Sequence, residues 1–341
     1  MSDCIYPLLF QPVFRDYIWG GRHLETEFGR ALPAGIVAES WEISGHPSSP
    51  TRATNGKWRG HSLVDILSAL GSDLVGSNSQ GMLERGKFPL LVKLLDANRN
   101  LSVQVHPDDA YAGSNAQGEL GKAEMWYVLH AEPGAELVYG LKSGVDRSTF
   151  AKAVSDGDVE TQLYRLPIHR GDCINVPPGT VHALLAGAVV AEIQQNSDTT
   201  YRIYDWGRLG VDGQPRPLHI EHALNVIDWS IIEPQAVAPC LIADDGERRR
   251  ELLVDDAKFQ VEKVSLTTGA KFRGCCDGST FEIWGCVDGE AHLGWGGSKR
   301  RTMLQAVQFV LLPAALGEFC YAAPMGATLL RAHVGRPDPC A

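Results

Sequence analysis

The chain has 341 residues, 44% of them hydrophobic and 21% charged, and a formal net charge of -10 at pH 7. That length accommodates two packed domains, and the composition is that of an ordinary globular protein that needs neither disulfide nor metal to hold its fold. The acidic balance argues against a nucleic-acid binder, which would present a basic face to phosphates, and the apolar runs are too short to span a bilayer.

The N-terminal MSDCIYPLLFQPVF lacks the basic region and apolar core of a secretory leader, so a cytoplasmic protein is expected. The cysteines (Cys4, Cys173, Cys240, Cys275, Cys276, Cys286, Cys320, Cys340) show no CxxC or zinc-ribbon spacing. Reduced, small apolar side chains are the expectation. The segment His61–Val75 places Leu63, Ile66, Leu67, Leu70 and Leu74 on one face, with Ser62 and Asp65 spaced as a capping box. It predicts a helix within a helical addition at about 55–80. Further helices are predicted at 146–154 and, from a first-turn proline, at 217–228.

Most of the remainder reads as short strands between Gly- and Pro-rich turns. Leu90–Leu95, Leu101–His106, Ala123–Leu129, Glu136–Tyr139, Cys173–Val176 and Val189–Gln194 are examples before residue 240. Phe259–Leu266, Phe281–Val287, Ala291–Trp295, Val307–Leu312 and Thr328–Val334 are examples after it. Strands at this spacing predict a mainly β protein built as sandwiches or barrels. The Pro-containing, charged stretch Ile231–Arg250 suggests a boundary near 240. Residues 1–240 would form the larger domain and 241–341 a smaller β-domain.

Chemistry concentrates before residue 240. In SVQVHP (Ser102–Pro107), Gln104 and His106 are two apart and share a strand face. Both are competent metal donors, imidazole the commoner, although taken alone such a pair more often marks a polar strand face near the surface. In GKAEMW (Gly121–Trp126), Glu124 opens an apolar strand and Lys122 shares its face; each reads equally well as a solvated strand-end charge. The segment RGDCINVPPGTVH (Arg170–His182) carries far more information. It has the form G-x5-P-x-G-x2-H and resembles the second metal-binding motif of the cupin superfamily, with Ala186 where that pattern continues with asparagine. Together Gln104, His106, Glu124 and His182 would make a thiolate-free N/O set, the catalytic rather than the structural kind of zinc site.

QVHPDD, KAEMW, PPGTVH and EIQQNSDTTYRIYDWGR (Glu192–Arg208), with YIWGG (Tyr17–Gly21) and AESWEISGHP (Ala38–Pro47), resemble type I mannose-6-phosphate isomerases of the short bacterial form. The resemblance runs continuously over roughly residues 5–210 and weakens beyond 240. It implies two cupin-type jelly-roll β-barrels with a few short helices attached to the N-terminal one, and one Zn2+ per chain on Gln104, His106, Glu124 and His182. It implies that Arg202 and Lys122 act in catalysis, with Glu192 and Asp205 in the proton network. Lys93, Ser102 and Arg208 would hold the phosphate. The implied activity interconverts mannose 6-phosphate and fructose 6-phosphate through an enediol. The base is left open between Glu192, Asp205, a Lys122 of depressed pKa, and zinc-bound hydroxide.

Two other readings compete with the isomerase: a cupin of different metal chemistry, such as an iron oxygenase, and a non-catalytic sugar-phosphate binder. The C-terminal stretch Phe281–Trp295 holds one isolated histidine, His292, so no metal is expected there. His219 and His222 read as exposed helix histidines, and Trp41 and Trp126 as pocket walls or core. The expected partner is a small sugar phosphate, with no nucleic acid and no membrane; monomer and homodimer remain equally compatible with the sequence.

Overall fold

Extended segments that alternate or stay continuously apolar dominate the chain, and strands dominate its computed structural model, which describes residues 5–116, 118–210, 213–297 and 300–335. Cys4 and Cys340 lie outside the described residues. Cys173, Cys240, Cys275, Cys276, Cys286 and Cys320 are free thiols. Two compact units divide the chain: Phe14–Ser40 with Lys93–Val237, and the segments up to Val13, Trp41–Val92 and from Ala238 onward.

The first unit draws its strands from two sheets. A six-stranded sheet has the order Cys173–Val176, Glu124–Ala131, Ala188–Gln195, Leu90–Ala97, Glu39–Ser44, Val13–Arg15. A five-stranded sheet has the order Tyr201–Tyr204, Val103–Val105, His182–Leu184, Glu136–Leu141, Leu163–Pro167. Leu90–Ala97 and Ala188–Gln195 are buried at every position, so Lys93, Asp96 and Glu192 are buried charges set among apolar neighbours. Trp126, Val128 and Val190 of the larger sheet share one core with Leu137, Tyr139 and Leu184 of the smaller. The outer face of the smaller sheet is covered: Val105, Val138 and Ile203 pack with Phe150 and Ala223, which belong to the helices Arg147–Asp156 and Ile220–Val226.

In the second unit a nine-stranded sheet is organised around the 14-residue strand Glu282–Trp295. That strand pairs with Arg300–Gln305, Gln308–Leu312, Gly317–Ala322 and Ala327–His333, and its register shifts between Cys286 and Asp288. A shift of this kind bends a strand and lets one long segment serve partners in two directions. Trp284, Val310, Phe319 and Tyr321 fill the core so formed.

Helix boundaries follow local chemistry. The Ser62–Asp65 capping box starts Leu63–Leu70 as expected, but Gly71, at φ 53°, breaks the segment before Ser72–Val75. Asp146 caps Arg147–Asp156, which ends at the left-handed Gly157. The third helix begins at Ile220 rather than Pro217, because the His219 amide donates to Arg202 O (2.7 Å) and holds the preceding residues against a strand. The helix Asp109–Asn115, capped by Asp108, was not foreseen. Among the described residues no helix is long and apolar enough to cross a membrane.

Gly179, in the turn that delivers His182, has φ 87°, and a Cβ there would lie 2.9 Å from Asp228 Cβ and 3.0 Å from its amide nitrogen. Only glycine meets both demands cheaply. Gly179→Ala should therefore cost at least about 1–2 kcal/mol of stability in chemical denaturation. An unchanged midpoint would show that the turn accepts a side chain.

Candidate active site

Strand register assembles the candidate donors. Gln104 lies opposite His182 on one neighbouring strand and opposite Arg202 on the other. Glu124 belongs to the larger sheet, where it pairs with Val176 and Gln194. His106 follows directly on the strand that carries Gln104. Gly121 allows the approach of Lys122: a Cβ at Gly121 would lie 2.5 Å from the backbone of Asp108 and Asp109, and the Lys122 amide donates to Pro107 O (3.0 Å).

His106, Glu124 and His182 are buried, and one ligand atom from each lies within 4.8 Å of the others, a group able to hold a metal ion. His106 Nδ1 is 2.8 Å from Thr199 O and His182 Nδ1 is 2.9 Å from Thr180 O. Donation to those carbonyls leaves both Nε2 atoms as acceptors. They face the same carboxylate, His106 Nε2 at 3.5 Å from Glu124 Oε2 and His182 Nε2 at 3.2 Å from Oε1. Gln104 Nε2 stands 3.3 Å from His182 Nε2. The Lys122 ammonium contacts Glu124 Oε2 and is 3.2 Å from His106 Nε2. Three acceptors thus converge on one point, and the nearest ammonium already turns toward them.

Burial, aided by Lys122, pushes His106 well below the usual imidazole range, and burial holds His182 down at about 4. Both rings are neutral at pH 7, the form that binds a metal. Burial raises Glu124 to about 7 against the pull of Lys122.

Beside this set opens a cavity of about 310 Å³. Its walls carry the cations Lys93, Lys122, Arg202 and Arg216 against the carboxylates Glu39, Glu192 and Asp198. Gln104, Ser102 and Thr200 add neutral polar groups, and Trp126, Trp19 and Tyr17 add aromatic surface. Glu192 Oε2 accepts from Trp126 Nε1 (2.8 Å), while its Oε1 lies 3.5 Å from Lys93 Nζ and 3.9 Å from Lys122 Nζ. Burial disfavours its charge, but the two ammonium groups and the indole outweigh burial and keep Glu192 below the usual carboxyl range. Burial likewise opposes charge on Lys93, and Glu39, Glu192 and Asp198 reverse the balance and raise it.

Other expected site residues lie around this wall. Ser102 Oγ accepts from Arg202 Nε (3.3 Å) and donates to Gln104 Oε1 (3.4 Å). Asp205 and Arg208 do not line the cavity: Arg208 donates to Asp205 Oδ1 (2.6 Å from Nη2) and to the Asn100 carbonyl. Trp126 stands on the wall, whereas Trp41 is fully buried elsewhere in the chain. His219, expected to be exposed, is half-buried, and its Nδ1 accepts from the Arg202 amide (3.1 Å). Sequence reasoning assigned no role to Tyr17, Glu39, Asp198, Thr200 or Arg216; the first four lie within the family-like segments YIWGG, AESWEISGHP and EIQQNSDTTYRIYDWGR, and Arg216 lies outside them.

The two-sheet fold and the convergent His–Glu–His set define a mainly β protein of the cupin type able to hold a metal ion. Residues 8–132 match the family described as phosphomannose isomerase type I, catalytic domain. A probable mannose-6-phosphate isomerase of Bacillus subtilis is 37% identical over 314 residues, covering 92% of this chain and 95% of the relative. The mannose-6-phosphate isomerase of Streptococcus mutans is 39% identical over 267 residues, covering 78% and 81%. The crystal structure of a Bacillus subtilis mannose 6-phosphate isomerase superposes with a TM-score of 0.86 at 34% identity, covering 96% of this chain and 99% of that one. The chain belongs to the mannose-6-phosphate isomerase family.

Because burial raises the Glu124 carboxyl to about 7 and holds both imidazoles neutral, a divalent cation should displace a proton from Glu124 below that pH and none well above it. Calorimetric titration of metal-free protein with Zn2+, in buffers of different ionisation enthalpy, should report release of about one proton at pH 6 and about none at pH 8. Equal proton release at both pH values would contradict the assignment.

Proposed function

We propose that this chain is a zinc-dependent aldose–ketose isomerase that interconverts mannose 6-phosphate and fructose 6-phosphate by proton transfer between C1 and C2 through an enediol. The observation that carries the reading is the adjacency of the buried His106–Glu124–His182 set to a cavity whose wall holds four cations against three carboxylates. A sugar that bears both an anionic phosphate and oxygens to be polarised needs these two features side by side.

The donor set suits zinc. Its imidazole acceptors are neutral, and among the described residues its buried carboxylate oxygen Glu124 Oε1 has no hydrogen-bond partner and no thiolate joins the group. Gln104 would join His106, Glu124 and His182 by turning its amide oxygen inward. When bound, the zinc ion would act as a Lewis acid toward the sugar oxygens.

The chain's own residues account for the remaining steps. Negative charge grows on the sugar oxygens during proton transfer, and Arg202 and Lys122 place fixed positive charge beside the place where it grows. Glu192 is the proposed proton carrier. It is deprotonated, lines the cavity, and has an Oε1 without a hydrogen-bond donor among the described residues. Lys93 and Ser102 would serve the phosphate from the wall, with Arg208 supporting that end through Asp205. The same reading places catalysis within residues 1–240, leaves 241–341 as a β-domain without a metal, and locates the protein in the cytoplasm.

A coupled assay of mannose 6-phosphate conversion tests the proposal. Chelator should abolish activity and added zinc should restore it. Full activity in metal-free protein would refute the metal-dependent mechanism, and iron in the purified protein together with no isomerisation would favour an oxygenase. Glu192→Gln should lower kcat by about 10²–10⁴-fold, the usual worth of a positioned acid–base group. A kcat within about twofold of the parent would remove Glu192 from the proton path.

A further inference from the structure

Arg216 belongs to no motif, yet it lines the cavity together with Arg202. Its Nε donates to Asp205 Oδ2 (2.7 Å) and its Nη2 to Asp205 Oδ1 (2.5 Å). The same carboxylate also accepts from Arg208 Nε (3.2 Å) and Nη2 (2.6 Å). Burial would raise Asp205, but its bonds from Arg216 and Arg208 outweigh burial and keep it ionised and below its usual range. Arg202 lies in the same field: burial, Arg216 and Arg208 disfavour its charge, and Asp205 favours it. Three guanidinium groups therefore share a single carboxylate.

Such a cluster carries uncompensated positive charge in a partly desolvated place, which is costly unless an anion completes it. A phosphate monoester, carrying about -1.5 to -2 charges, would bring the cluster close to neutrality. Donors are available for it. Arg216 Nη1 and Arg202 Nη2 have no protein partner among the described residues, whereas the other nitrogens of Arg202 are engaged by Ser102 Oγ (3.3 Å) and Pro217 O (2.9 Å). The two-pronged contact with Asp205 fixes the plane of the Arg216 guanidinium, so little further entropy is lost when it binds an oxyanion. Ser102 links this cluster to the metal-donor set, since it also bonds to Gln104.

We propose that Arg216 is a phosphate-binding residue that joins the Ser102 and Arg208 end of the cavity in holding the phosphate of the sugar phosphate, and that Asp205 is a positioning residue that aims Arg216. The proposal rests on the isomerase reading for the identity of the sugar, but not for the anion. It also explains why Asp205, with both oxygens taken by arginines, stands off the cavity wall.

The test compares the full chain with Arg216→Ala, Arg216→Lys and Asp205→Asn. The readouts are kcat and KM for mannose 6-phosphate, and the dissociation constant of inorganic phosphate by calorimetry. Removing a charge-assisted, fixed donor should raise KM and the phosphate dissociation constant by about tenfold each in Arg216→Ala, with kcat changed by less than about threefold. Arg216→Lys keeps the charge and loses the fork, so it should fall between the parent and Arg216→Ala. Asp205→Asn should move KM in the same direction while sparing kcat, a split that general loss of structure would not give. Unchanged phosphate affinity and KM in Arg216→Ala, or equal losses of kcat in all three variants, would overturn the proposal. If the parent chain fails to isomerise mannose 6-phosphate, the isomerase reading falls, and the phosphate titrations still decide the role of Arg216.

Discussion

The site depends on a confrontation of acceptors. With Nδ1 of His106 and of His182 committed to the carbonyls of Thr199 and Thr180, both Nε2 lone pairs point at the oxygens of Glu124, from 3.5 and 3.2 Å. The donors within reach of those lone pairs are the Gln104 amide, 3.3 Å from His182 Nε2, and the Lys122 ammonium, 3.2 Å from His106 Nε2. A positive charge between the acceptors removes the conflict. Lys122 supplies one from the side, through contact with Glu124 and His106, and a divalent cation would supply it from the centre. The two sheets matter because they hold this arrangement together: Gln104 and His182 come from one, Glu124 from the other, and Trp126, Leu137 and Leu184 keep the two packed.

The same charges propagate outward. Lys122 lies between Glu124 and Glu192, Glu192 lies between Lys122 and Lys93, and Lys93 faces Glu39 and Asp198. For Lys93 and Glu192 burial disfavours the charged form, and the neighbouring opposite charges outweigh it. Glu192 stays anionic because Lys122, Lys93 and the Trp126 indole outweigh its burial, and Lys93 stays cationic because Glu39, Glu192 and Asp198 outweigh its own.

Local sequence revealed those parts of this arrangement that depend on local chemistry. The turn PPGTVH announced His182 through Gly179, whose backbone only glycine adopts freely, and the alternation in SVQVHP placed Gln104 and His106 on one side of a strand. The Ser62–Asp65 box marked a helix start correctly because both halves of a capping box lie within one turn. Contacts made at long range stayed hidden. Arg216 gains its place from Asp205, and the third helix loses its first turn to a pairing of His219 with Arg202, 17 residues away. Glu39 and Asp198 reach Lys93 from distant segments and leave no periodic trace. A residue whose role is set by a partner far along the chain carries no signature in its own neighbourhood.

The overall charge of -10 seems opposed to an anionic substrate, but the opposition is largely one of bookkeeping. At physiological ionic strength exposed charges are screened beyond about 8 Å, so most surface carboxylates are invisible from the cavity. What an arriving phosphate meets is the local wall, where Lys93, Lys122, Arg202 and Arg216 outnumber Glu39, Glu192 and Asp198. Moreover, those three carboxylates are not equivalent to the four cations in reach. Glu192 is buried and turned toward Trp126 and two lysines, whereas Arg202 and Arg216 each keep a nitrogen donor without a partner among the described residues. On the proposed reading the arginine end would meet the anion and the histidine end the oxygens to be polarised, with Ser102, bonded to both Arg202 and Gln104, as the link between them.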